Sequence, residues 1–118
     1  MGAAVIKRWL LVVALVALAL VLASAAEARV SLVRVTSPVR AGAYATLTVK
    51  VSRPARCSIT VYYKSGPSEA QGLYPKRTNA QRRVSWTWKV GTRTTPGRWP
   101  ILVSCGAAGT LKTSFRVT

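Results

Sequence analysis

The fold is decided by residues 83–105, which read RVSWTWKVGTRTTPGRWPILVSC. Two segments in which apolar and polar residues alternate, 83–90 and 98–105, flank a turn that contains Pro96 and Gly97. Alternation with a period of two is typical of a β-strand with one buried face, and Pro and Gly preset the backbone of a tight turn. The stretch therefore predicts two strands and a short connection. Its inward positions carry three predicted core aromatics, which are Trp86, Trp88 and Trp99.

The same alternation recurs outward from this stretch in short segments separated by Gly, Pro, Ser and Asn. Six strands are predicted, at residues 30–36, 44–52, 57–64, 83–90, 98–105 and 110–117. Helical periodicity does not occur in this part of the chain. The pattern therefore predicts an all-β, antiparallel β-sandwich of about six to seven strands, in which residues 65–82 form a long, exposed crossing between the sheets with a short strand near Tyr74.

The chain has two cysteines, Cys57 and Cys105, and we expect them to form one disulfide because exported thiols are normally oxidised. Cys57 opens one predicted strand and Cys105 ends another. If they face each other, the two strands are antiparallel, and Ile59 lies opposite Val103 while Val61 lies opposite Ile101. All of these residues occupy inward positions by parity. Periodicity and the cysteine positions thus predict the same register.

The stretch from Trp86 to Pro100, with its W-x-W pair and T-x-x-P-G turn, and the following Cys105 together resemble bacterial immunoglobulin-like domains of secreted and surface proteins. The resemblance implies an immunoglobulin-like β-sandwich and a non-enzymatic module that adheres, spaces or binds. Two features differ from antibody domains. Val103 stands where a tyrosine corner would place Tyr, and Cys57 opens the third strand, which points to a bond between neighbouring strands of one sheet.

The N-terminal residues have the three parts of a secretory signal. Lys7 and Arg8 precede an apolar run of 14 residues, Trp9 to Leu22, and small residues follow up to Ala28. We expect residues 1–28 to be a helical signal peptide, cleaved between Ala26 and Arg29, and residues 29–118 to be one domain, secreted or held at the cell envelope. A retained anchor is the alternative. As a helix the run would span about 21 Å, however, short of a hydrocarbon core of about 30 Å.

Charge and residue inventory narrow the possible functions. Of the 18 basic and 2 acidic residues, Lys7, Arg8 and Glu27 belong to the predicted signal, which leaves 16 basic residues and Glu69, a net charge of +15. The chain has no His. The chain therefore lacks the residues for three kinds of site: catalytic triads that need His, hydrolase sites with paired carboxylates, and metal sites made of His or carboxylates. The sequence predicts no enzyme, no cofactor and no metal.

A surface with almost no acids predicts an electrostatic role, because such a charge opposes folding through self-repulsion. The predicted partner is an anionic polymer, a membrane or a cell-wall surface. Sequence-specific nucleic-acid binding is not expected, since no recognition module is present. The alternative is that the chain is a structural or assembly partner of a secreted or surface complex and that its charge serves only solubility. In that case its partner is a protein, and the sequence does not specify the oligomeric state. The candidate anion-binding residues are Lys76, Arg77, Arg82, Arg83, Lys89, Arg93 and Arg98.

Overall fold

The structure is a computed structural model that describes residues 29–118. The predicted signal peptide, with its helix, lies outside the described residues. The described chain contains eight strands and one short 3-10 turn at Gly106–Ala108. The strands are β1 (Val30–Val35), β2 (Tyr44–Val51), β3 (Arg56–Tyr63), β4 (Gly66–Pro67), β5 (Lys76–Arg77), β6 (Arg83–Lys89), β7 (Gly97–Ser104) and β8 (Thr110–Val117).

The strands form two antiparallel sheets, so the all-β prediction is confirmed. One sheet has the order β1-β2-β6, and the other has the order β4-β3-β7-β8, with β5 pairing with the first residues of β3. The six long strands agree with the predicted ones to within one or two residues. The short strands β4 and β5 fall in residues 65–82, where only one short strand near Tyr74 was expected.

The core lies between the two sheets and is formed mainly by alternate, inward-facing residues of the long strands, together with Val39 and Ala108 from outside the strands. In β2 the side chains of Ala45, Leu47, Val49 and Val51 are fully buried. In β6 both Trp86 and Trp88 are fully buried, and the Trp88 ring meets Phe115 of β8 edge to face with centroids 5.7 Å apart. Trp99 is only partly buried and packs on the end of this core.

The disulfide and the register that it predicts are both confirmed. Cys57 and Cys105 are bonded, and they join β3 to the end of β7 within one sheet. Ile59 pairs with Val103 and Val61 pairs with Ile101. The bond therefore links neighbouring strands instead of crossing between the sheets.

The outer edge of β6 is covered by the segment that precedes it, which protects unpaired backbone groups from pairing with another chain. Asn79 accepts a hydrogen bond from the Arg83 amide through Oδ1, at 2.9 Å, and its own amide donates to the Arg83 carbonyl. Farther along, the backbone of Gly72 lies against the Thr87 carbonyl so closely that a Cβ there would clash. The irregular segment is thus fixed by contacts with β6 at both places.

Candidate anion-binding surface

The topology brings eight basic residues to one end of the sandwich. At this end β1 begins, β2 turns into β3, β5 pairs with β3, and β6 begins. We call it the arginine end, because six of the eight residues are Arg. It comprises Arg29, Lys50, Arg53, Arg56, Lys76, Arg77, Arg82 and Arg83.

The remaining cations lie elsewhere on the sandwich. Arg34 lies in β1 and Lys112 lies in β8, between the two ends, and six others lie at the opposite, distal end. The distal cations are Arg40, Lys64, Lys89, Arg93, Arg98 and Arg116. Glu69, the single acidic residue of 29–118, lines a distal cleft beside Lys89. Among the described residues, therefore, no acidic side chain balances the charge of the arginine end.

Strand pairing places basic residues directly opposite each other in three places. Two of these pairs are at the arginine end, Lys50 with Arg83 and Arg56 with Arg77; the third, Arg98 with Arg116, is distal. Like charges on directly opposed residues destabilise a sheet, in contrast to the ion pairs that often occupy such positions. The fold therefore concentrates positive charge at a cost in stability.

Three cations of the arginine end are held in place by backbone carbonyls. The Arg53 guanidinium donates to the Ala107 carbonyl at 2.7 Å, and Arg82 donates to the Ser52 carbonyl at 2.9 Å. Lys76 donates to the Ser85 carbonyl at 2.9 Å. These acceptors are neutral, so the positive charge is not cancelled, and each guanidinium has five N–H donors of which one is used in these bonds.

A depression of about 400 Å³ lies at the arginine end beside the disulfide. Arg53 and Arg56 line one side of it, and residues 106–108 of the 3-10 turn line the other. A planar guanidinium can contact two oxygens of a phosphate or carboxylate group at once. The arrangement is therefore suited to binding an anionic group at the surface.

The predicted anion-binding residues divide between the two ends instead of forming one site. Lys76, Arg77, Arg82 and Arg83 belong to the arginine end, whereas Lys89, Arg93 and Arg98 are distal. Two of them are not in the open loop that the sequence suggested: Lys76 and Arg77 form β5, and Lys76 is half-buried with its ammonium 5.0 Å from the centroid of the Tyr74 ring. These two residues are in a strand because they pair with β3, which is about 20 residues away in sequence.

The sequence-based list missed half of the arginine end. Arg29, Lys50, Arg53 and Arg56 are 20 or more residues from Arg77 along the chain, and only strand pairing brings them near it. Parity had marked Lys50 as outward, and Arg53 and Arg56 follow the end of β2. The sequence therefore indicated that these side chains are exposed, but it did not indicate which of them lie close together in the fold.

A second cleft, of about 550 Å³, lies at the distal end and is lined by Tyr63, Ser65, Glu69, Lys89 and Thr94, among others. The Tyr63 hydroxyl accepts a hydrogen bond of 3.2 Å from the Trp88 indole N–H. Burial raises the pKa of the Tyr63 phenol above its ordinary value, and the Trp88 hydrogen bond opposes this shift. These groups can hydrogen-bond a polar molecule, but Tyr63 serves first as the partner of a buried indole.

Within residues 29–118, His, Cys, Asp and Glu do not form any group of three that could hold a metal ion. The same residues contain no helix with the length and hydropathy needed to cross a membrane. No protein-family model matches the chain, and no curated protein sequence is significantly similar to it. A functional conclusion therefore depends on the charge and geometry described above.

Proposed function

We propose that the chain is an exported, non-enzymatic immunoglobulin-like module that adheres to anionic components of the cell envelope or the extracellular space through its basic surface. The signal-like N-terminus supports export. The residue inventory supports a binding role over catalysis, because His is absent and a single acid remains in residues 29–118.

The strand order supports the immunoglobulin-like part of the proposal. The first, second and sixth strands share one sheet, and the third, seventh and eighth share the other. Immunoglobulin-type sandwiches divide their strands in this way when β4 and β5 are counted as short additions to the second sheet. The W-x-W pair, which is one of the motifs of the resemblance, lies on the sixth strand and faces the core, as alternation predicts.

The observation that carries the binding proposal is the set of three like-charge pairs. Each pair places two cations opposite each other with no acid to separate them, and each costs a few tenths of a kcal/mol to about 1 kcal/mol. Solubility requires net charge but does not require that cations face each other across strands. An anionic partner would offset this repulsion, so each pair would favour binding of the partner.

The second candidate function is that of a structural partner in a secreted assembly. It is favoured by a shallow apolar depression of about 270 Å³ on the outer face of the sheet that contains β3, β7 and β8, lined by Tyr62, Pro100 and Leu102 among others. Apolar contacts of this kind suit a protein surface. Self-association or partner binding that persists at high salt would support this candidate instead.

The test uses residues 29–118, which contain both sheets, the core and the disulfide. Binding to duplex DNA, an acidic polysaccharide and anionic vesicles is measured over a range of salt concentrations. We expect log K to fall linearly with log salt, with a slope of about −0.9 for each phosphate neutralised on duplex DNA, and little dependence on DNA sequence. Failure to bind all three at low salt would overturn the proposal.

A further inference from the structure

We infer that the arginine end is the docking face of this module and that its partner is an anionic phospholipid bilayer, whose headgroup phosphates the guanidinium groups bind. The inference rests on the proposed function and adds to it an orientation and a class of partner. Four observations lead to it.

The first observation is the uneven distribution of charge. The arginine end carries 8 of the 16 basic residues of 29–118, and the single acid lies at the opposite end. An anionic surface of negative potential attracts such a face and orients the molecule, because the energy is lowest when the densest positive charge is nearest the surface.

The second observation is the kind of cation. Six of the eight residues are Arg, and Arg53 and Arg82 are positioned by bonds to the carbonyls of Ala107 and Ser52. A guanidinium matches the oxygens of a phosphate with two parallel hydrogen bonds, whereas Lys acts as a point charge. Guanidinium groups fixed in this way suit phosphodiester headgroups.

The third observation is where the preceding chain joins the domain. Arg29, at the start of β1, is at the arginine end, and the predicted signal with its apolar run to Leu22 precedes it. Residues 23–28 can extend over at most about 20 Å. Before the predicted signal is cleaved, and while its apolar run is in a membrane, the arginine end is therefore the part of the domain within reach of the headgroups.

The fourth observation concerns how deeply the domain can enter the bilayer. The loops that close this end, 52–55, 78–82 and 105–109, have the sequences SRPA, TNAQR and CGAAG and contain no large apolar side chain. A peripheral domain that inserts into the acyl region normally presents such side chains. The predicted contact is therefore with the headgroups alone and is reversed by salt.

The test compares two double variants that each remove two charges from exposed positions. Arg56→Gln with Arg77→Gln alters the arginine end, and Arg40→Gln with Arg93→Gln alters the distal end. Binding is measured with vesicles of phosphatidylglycerol and phosphatidylcholine, and vesicles of phosphatidylcholine alone serve as the uncharged control. We expect the first variant to bind about 30-fold more weakly, because two basic residues leave the surface, and the second to lose several-fold less.

A second measurement reads orientation without mutation. A spin-labelled lipid in the same vesicles should broaden the amide signals of residues 52–55, 78–82 and 106–109 more than those of residues 40–43 and 91–96. Broadening that is equal at the two ends, or stronger at the distal end, would overturn the inference.

The remaining outcomes separate this inference from the proposed function. Equal losses in the two variants, or binding to DNA or polysaccharide without binding to vesicles, would overturn the bilayer assignment and leave the proposed function standing. In a further outcome, millimolar inorganic phosphate releases the protein from vesicles more strongly than chloride does at the same ionic strength. That result would identify free phosphate as the ligand and would also overturn docking to a bilayer. Loss of binding to every anionic probe would overturn both.

Discussion

Arg56 of β3 and Arg77 of β5 lie directly opposite each other, with no acidic residue of the described chain at their end of the sandwich. Pairing between β3 and β5 extends over only two residues of each strand. A repulsive pair there is a larger fraction of the local interaction energy than it would be within a long ladder. A substitution at this position therefore tests the proposed binding, because stability and anion binding are expected to change in opposite directions.

Replacing one member of this pair by an acid should improve stability and weaken binding. Arg77→Glu converts repulsion into a cross-strand ion pair with Arg56, and we expect the free energy of unfolding to rise by a few tenths of a kcal/mol to about 1 kcal/mol. Urea denaturation measures this change. Arg93→Glu makes the same change in charge in the distal loop, away from the β3/β5 pairing, and serves as the control. A fall in the stability of Arg77→Glu below that of Arg93→Glu would contradict the prediction.

The Tyr63 hydroxyl should be needed for stability because it is the acceptor for the fully buried Trp88 indole. Tyr63→Phe leaves the indole N–H without this partner, and we expect a loss of about 1 to 3 kcal/mol in the free energy of unfolding. Tyr62→Phe, at the neighbouring exposed position, is the matched control and should change stability little. Equal effects of the two substitutions would show that the Trp88 bond is dispensable.

Alkaline pH should reduce the contribution of Tyr63 to stability. Burial raises the pKa of its phenol in the folded protein, whereas in the unfolded chain it ionises near its ordinary value of about 10. Above about pH 10 the phenol ionises in the unfolded chain but not in the folded protein. Ionisation stabilises the unfolded state, so the free energy of unfolding falls as pH rises. The stability advantage of the native protein over Tyr63→Phe should narrow in that range. An advantage that stays constant with pH would contradict the shift in pKa.

The disulfide should contribute a large part of the stability of a domain of this size. Cys57 and Cys105 are 48 residues apart, and closing a loop of this length stabilises a protein by about 4 kcal/mol. We expect Cys57→Ala with Cys105→Ala to lose about 2 to 5 kcal/mol while β3 and β7 keep their register. Denaturant unfolding measures the loss, and amide contacts between Ile59 and Val103 report the register. Two free thiols in the native protein would refute the bond.

Gly72 should be required for the segment that covers the edge of β6. It has a φ of +94°, and a Cβ at this position would collide with the Thr87 carbonyl. Gly66 has a φ of +118° but open space around it, so Gly66→Ala measures the backbone cost alone, about 1 to 3 kcal/mol. We expect Gly72→Ala to be more destabilising than Gly66→Ala and to raise amide exchange at Ser85 and Thr87. Equal stability losses would mean that the segment moves away without penalty.

The sequence alone determined which segments are strands and which side of each strand is buried. Alternation is a local property, and a strand with one buried face must alternate, so the inward positions of Leu47, Trp86 and Val103 followed directly. The cysteine positions then determined one long-range pairing, β3 with β7, because a disulfide requires two particular residues to be adjacent.

Only the tertiary structure decided the two short strands and the grouping of charge. β5 exists because it pairs with β3, and two residues are too few to show a period of their own. Exposure of each cation could be predicted from parity, but proximity could not, since Arg29, Arg56 and Arg77 are distant in sequence and meet only when β1, β3 and β5 are aligned at one end. Electrostatic interactions depend on the distance between charges in space, so the arginine end is a property of the fold and cannot be read from any single stretch of the sequence.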